Sequence, residues 1–186
     1  MKLPDNLESQ VTTDSNSLFV CPHAGASKFC ALTRACLVDA QRLWISSFLA
    51  IAEAYRQGND ARSVAVQMIE GLYDYSRGPV LFKPTLAFGD QTFRTTFAGA
   101  VSYFVGGDPN FPNDKGFALN DWISVYPQNT HCLIDCSVGM TMGNFVFVKS
   151  SGSELVVEKT FVFKSDATGK LRIVLHHASL PFKLNQ

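Results

Sequence analysis

Two hydrophobic periods divide this chain near Pro79, and no fold that ignores either can bury its apolar residues. Between Thr33 and Gln57 the residues Leu37, Ala40, Leu43, Trp44, Phe48, Ile51, Ala52 and Tyr55 recur at the 3.6-residue spacing of one helix face, and Gly58 ends the run. A second helical stretch starts from Asn59 or Asp60 as N-cap, turns Val64, Met68, Ile69 and Leu72 inward, and breaks at Ser76-Arg77-Gly78-Pro79. Beyond Pro79 lie 12 of the 15 phenylalanines, and period-two alternation takes over. The expected strands are 80–83, 91–95, 117–126, 131–138, 141–149, 154–164 and 171–180, with turns at Pro127-Gln128-Asn129, Ser151-Gly152 and Thr168-Gly169. A short helix over 97–105 interrupts them and stops at Gly106-Gly107, which permit a left-handed exit. Helices followed by consecutive hairpins define an α+β fold, with long N-terminal helices covering one face of a strongly curved antiparallel sheet. Such a sheet wraps into a cone with a pocket, and Leu43, Trp44, Phe48 and Ile51 are expected to lie buried against it.

At 186 residues the chain has the size of one domain. Residues 1–18 are rich in Asp, Asn, Ser and Thr and read as a flexible tail, leaving 19–186 as a single domain. The 16 basic and 16 acidic residues cancel, so no electrostatic footprint for nucleic acid exists. The most apolar stretch, 43–54, is interrupted by Ser46, Ser47 and Glu53, and no membrane association is expected. Met1 to Ser17 lacks the basic flank and apolar core of a secretory signal; a soluble protein is expected, and its compartment is left open between the cytoplasm and, if a leader has been removed, a plastid stroma. Cys21, Cys30, Cys36, Cys132 and Cys136 are odd in number and are expected as reduced thiols. No zinc-type spacing joins them to His23 or His131.

Several chemistries are poorly served by these residues. The histidines His23, His131, His176 and His177 are too scattered for a three-histidine metal site, and no cofactor is expected. Gly106-Gly107-Asp108 lacks the Lys and Ser/Thr of a phosphate loop, and no nucleophile elbow occurs. What remains is a polar set within apolar strands: Thr85 after Leu81-Phe82-Lys83-Pro84, Tyr103 on the short helix, and His176, His177 and Ser179 near the last strand's end. Alternation lets only one histidine face a given pocket, with His177 and Ser179 sharing a side.

The blocks Val80-Leu81-Phe82-Lys83-Pro84-Thr85, Phe93-Arg94, Ser102-Tyr103-Phe104-Val105-Gly106-Gly107, Asp114-Lys115-Gly116-Phe117-Ala118, Met142-Gly143-Asn144 and the run from Leu171 to Pro181 occur in the order found in one family. In this respect the chain resembles the iota-class carbonic anhydrases, whose cone is shared with the calcium/calmodulin-dependent kinase association domain and with nuclear-transport-factor-2-like (cystatin-like) proteins. The resemblance implies metal-independent, reversible hydration of CO₂ to bicarbonate in a pocket of hydroxyl side chains. It assigns Thr85, Tyr103 and Ser179 to the substrate; apolar CO₂ is expected to sit against side chains such as Phe104, and His177, whose ordinary pKa of about 6.5 suits transfer near neutral pH, is expected to take the proton. The family's paired histidines are usually followed by two serines, the first of which is Ala178 here. A homodimer through the outer sheet face, expected to display the Phe and Val residues of 141–149 and 154–164, is the anticipated assembly. The alternatives are a non-catalytic oligomerisation or small-anion-binding module on the same fold, and an isomerase using Asp121 or Asp135 as a lone carboxylate.

Overall fold

The computed structural model describes residues 32–183. The expected tail, together with Cys21, His23 and Cys30, lies outside the described residues. Helix α1 (Arg34–Arg56) begins where the Thr33 side chain accepts the Cys36 N–H, and α2 (Ala61–Leu72) begins where Asp60 accepts from Ser63. Strand β1 (Leu81–Lys83) follows, then α3 (Phe97–Val105), β2 (Trp122–Asp135), β3 (Val138–Lys149), β4 (Glu154–Ser165) and β5 (Leu171–Ser179). The sheet order is β1-β5-β4-β3-β2, antiparallel except that β1 runs parallel to β5. Helices cover its inner face, as expected of the α+β class.

Trp44 centres the core. Its ring stacks on Phe48 at 5.3 Å and meets Phe145 of β3, Phe161 of β4 and His176 of β5 at 5.6–5.8 Å. One indole therefore fixes α1 against three strands. By length and composition α1 is apolar enough to cross a bilayer, but here Leu37, Trp44, Phe48 and Ile51 are fully buried against the fold. Leu43 departs from expectation at 48% exposed, because the buried face runs through Leu37, Gln41, Trp44, Phe48 and Ile51 and leaves Leu43 on its flank.

Three sequence-based strand limits change. Residues Gly89–Gln91 form a 3₁₀ turn and 92–95 carry no strand, and Phe117–Leu119 is another 3₁₀ turn, so β2 starts at Trp122. Pro127-Gln128-Asn129 is not a turn: β2 continues through it with a register shift between Gln128 and His131. As β2 is the sheet edge, Pro127 has no second neighbour to which it would owe an N–H. The phenylalanines of β3 and β4, Phe145, Phe147, Phe161 and Phe163, face the core and not the outer side. Cys36 and Cys132 are free thiols, whereas Cys136 is disulfide-bonded, contrary to the expected fully reduced state.

Trp44→Ala is expected to cost about 3–5 kcal/mol in urea denaturation, with Trp44→Phe losing less because it keeps the ring stack. A cost under roughly 1 kcal/mol for the alanine variant would show that helix and sheet hold together without this side chain.

Candidate active site

Helix α3 is apolar nearly all round and is buried from Gly99 to Phe104. Thr96 caps its start by accepting the Gly99 N–H, and Gly106, at φ +65°, ends it. A Cβ at Gly106 would come within 3.0 Å of the Asp114 carbonyl oxygen, so glycine is required there on both counts. This exit aims Tyr103 into a wall of rings. Its ring stacks on Phe117 at 5.6 Å and meets Phe82 edge-on at 5.8 Å, with Phe104 at 5.5 Å. The hydroxyl accepts the Leu86 N–H at 3.4 Å and also interacts with the Thr85 side chain. Burial holds the Tyr103 phenol well above the usual tyrosine range, so it stays protonated and remains a donor near neutral pH. Thr85 is itself buried, and the fold therefore brings these two expected site residues together.

It does not bring Ser179 and His177 to them. On β5 the buried side chains are Ile173, His176 and Ala178, while His177 is exposed and Ser179 donates to the Glu158 carboxylate at 3.1 Å. The cause is a register shift: Leu175 pairs with Val162, yet Ile173 pairs with Phe163, so Val174 is an extra residue between them. Uninterrupted alternation from Ile173 would turn His177 and Ser179 inward, and the bulge reverses the phase. Phe104 is fully buried, stacked on Phe82 and packed against Trp44 and Phe48.

Two buried polar assemblies adjoin this corner, and of their members only His176 stood in the polar set read from the sequence. In the first, Asp114 accepts from Arg94 Nη2 at 2.6 Å and from Ser102 Oγ at 2.7 Å, with the Arg94 and Asp114 side chains 2% and 5% exposed. The Arg94 backbone accepts from Tyr75 and donates to the Phe82 carbonyl. These contacts tie β1, the segment carrying Thr85 and helix α3 to one point next to Tyr103. The signal was available, since Arg94, Ser102 and Asp114 all fall in the ordered sequence blocks. In the second assembly Lys159 Nζ lies 3.0 Å from His176 Nε2, His176 Nδ1 lies 2.8 Å from Tyr73 Oη, and the Trp44 indole N–H donates to Tyr73 Oη at 2.9 Å. Burial moves Lys159 and His176 well below their usual values and Tyr73 well above its own, so all three favour their neutral forms.

Asp121 and Asp135, the carboxylates an isomerase would need in the pocket, are exposed, and Asp121 is bonded to Ser150. Among the described residues no three His, Cys, Asp or Glu side chains cluster so as to hold an ion. A surface groove between α1 and β5, lined by Ala40, Leu43, Leu72, Phe163 and Ile173, contains neither Thr85 nor Tyr103.

The family model for metal-independent carbonic anhydrases matches residues 35–180, which is α1 through the end of β5. The chain belongs to this family. A metal-independent carbonic anhydrase from Nostoc sp. is 44% identical over 155 residues, covering 82% of this chain and 76% of the relative. The crystal structure of a cyanobacterial iota-carbonic anhydrase complexed with bicarbonate superposes with a TM-score of 0.83 at 42% identity, over 86% of this chain and 98% of that one. An NTF2-like protein of unknown function from Pseudomonas putida KT2440, at TM-score 0.53 and 8% identity over 82% of this chain and 92% of its own, shares the fold alone. The iota-class enzyme is thus built on a nuclear-transport-factor-2-like scaffold.

Asp114→Asn in this carbonic anhydrase leaves the buried Arg94 guanidinium without its counter-charge and is expected to destabilise the fold by about 3–5 kcal/mol. Chemical denaturation checks this, and an unchanged midpoint would show that the ion pair does not hold the Tyr103 corner in place.

Proposed function

We propose that this iota-class carbonic anhydrase interconverts CO₂ and bicarbonate at the corner where Thr85 meets Tyr103. The observation that carries the reading is a protonated phenol, buried among Phe82, Phe104 and Phe117, with the Thr85 side chain at its oxygen. CO₂ is apolar and is favoured against those rings, where water is not. As the attacking water adds to carbon, negative charge develops on the former CO₂ oxygens. O–H donors already set in a dry, low-dielectric corner stabilise that charge without reorganising. Holding water and CO₂ together supplies a further proximity contribution. The proposal assigns substrate contact to Thr85 and Tyr103 and withdraws it from Ser179 and His177, which lie on the other side of β5. At the inward position the resemblance has a serine and this chain has Ala178, so one donor fewer faces the corner.

For the assembly we propose a homodimer through the outer sheet face. Its support is the row of exposed or half-buried apolar residues there, including Met142, Val148, Val156 and Val162, and not the core-facing phenylalanines.

Tyr103→Phe removes the donor and keeps the ring. It is expected to lower kcat for CO₂ hydration by about 10²–10³-fold with an unchanged melting temperature, whereas Ser179→Ala leaves the rate unaltered. Stopped-flow hydration assays decide this. A Tyr103→Phe variant with wild-type rate, or a Ser179→Ala variant that loses most of it, contradicts the assignment.

A further inference from the structure

Along β4 the inward positions are Val157, Lys159, Phe161 and Phe163, so a lysine occupies the apolar phase of a core strand. Lys159 is 4% exposed, and among the described residues it forms no ion pair with any carboxylate. An amine in that position has one close polar neighbour, His176 Nε2 at 3.0 Å, and otherwise faces rings: Trp44 at 3.9 Å and Phe145, Phe147 and Phe161 at 5.4–5.5 Å. The titratable groups bearing on the pair are Tyr73, bonded to His176 from the segment after α2, and His177, which acts on His176 from the outer side of β5. Lys159 stands directly across from Ala178, the inward position closest in sequence to the end of β5. Phe82 stacks on His176 at 4.7 Å and meets Tyr103 edge-on at 5.8 Å, so the pair and the Tyr103 corner pack against the same ring.

We propose, resting on the CO₂ chemistry proposed above, that Lys159 and His176 form the buried base that takes up the proton released in hydration and returns it in dehydration. Water oxygen forms a bond to the carbon of CO₂ while one C=O π pair moves onto oxygen, and the proton lost by that water ends on the lone pair of the Lys159–His176 couple. The product state is bicarbonate beside a protonated couple, so net charge in the enclosed region is unchanged. Burial disfavours the charged form of the couple while the substrate is neutral, and the surrounding ring faces lower the cost of the cation once it forms. A cation that exists only with the anion favours the transition state and product over the CO₂ complex. An always-charged arginine would not. Neither residue contacts the Tyr103 hydroxyl, so both act as proton-holding, positioning residues behind the substrate corner.

Two arms test this on the full chain. First, the Lys159 Cε resonance of wild-type protein is followed against pH, and a midpoint well below the ordinary lysine value of 10.5 is expected; a midpoint at 10.5 overturns the proposal. The same depression means that the native state binds fewer protons than the unfolded chain between the folded midpoint and 10.5, so wild-type stability rises with pH across that interval. Second, Lys159→Met removes the base and keeps its volume. It is expected to lower kcat about 10²-fold or more and to abolish the pH-dependent limb of the rate profile. Its folding midpoint should be unchanged or higher and should lack the stability rise with pH. A Lys159→Met enzyme with wild-type kcat and pH profile overturns the proposal, and if that variant misfolds, the resonance titration and Lys159→Gln kinetics decide in its place. Wild-type protein that titrates as expected yet hydrates no CO₂ overturns the proposed function itself and the proton role with it, a result distinct from an active Lys159→Met variant.

Discussion

The burial of Trp44 is the contact on which the rest of the molecule depends. One indole lies against β3, β4 and β5 at once, so the position of α1 and the curvature of the sheet are set by the same ring. Its N–H cannot be left unpaired at zero exposure, and the partner it finds, Tyr73, extends the requirement to His176 and then to Lys159. An apolar anchor thereby organises a polar chain through the centre of the core. Few arrangements of four such groups satisfy every donor and acceptor, which is why the chain specifies one geometry and not merely a compact one.

The corner proposed for the substrate is held from two sides. The Arg94–Asp114–Ser102 assembly fastens α3 and the segment after β1, and hence Tyr103 and Thr85, by charge-assisted hydrogen bonds out of water's reach. The Lys159–His176 couple packs against Phe82, and among the described residues Lys159 has no fixed counter-charge. The contrast in electrostatic design is instructive: a compensated ion pair serves as a rigid fixture, while an uncompensated amine is left free to change protonation state. Keeping the rigid element and the titratable one on different side chains lets the proton inventory change without moving the hydroxyls.

Much of this was legible in the sequence because it follows from periodicity. The bounds of α1, α2 and α3 and the three long strands β3, β4 and β5 come from spacing, while the pairing of Thr85 with Tyr103 is what the family resemblance of the ordered sequence blocks implies. The errors have a common physical origin in features that break period without leaving a residue-type signature. A bulge at Val174 inverts the inward phase of β5 and exchanges His176 and Ala178 for His177 and Ser179. A proline that usually marks a turn is absorbed by an edge strand at Pro127. Lys159 was readable in principle, since it shares a face with Val157, Phe161 and Phe163, but a lysine in an alternating strand is ordinarily assigned to solvent. Arg94 and Asp114 were visible only as motif residues, because a pairing over 20 positions has no local signal.

Bulk water is a weak nucleophile at neutral pH, and a metal-independent enzyme must make up that deficit with its own side chains. Stopped-flow CO₂ hydration by chelator-treated wild-type protein, followed in both directions, tests this most directly. Turnover well above the buffer reaction, unchanged after chelation and not raised by added divalent ions, is the result predicted. Turnover that vanishes on chelation and returns with one metal would contradict the account.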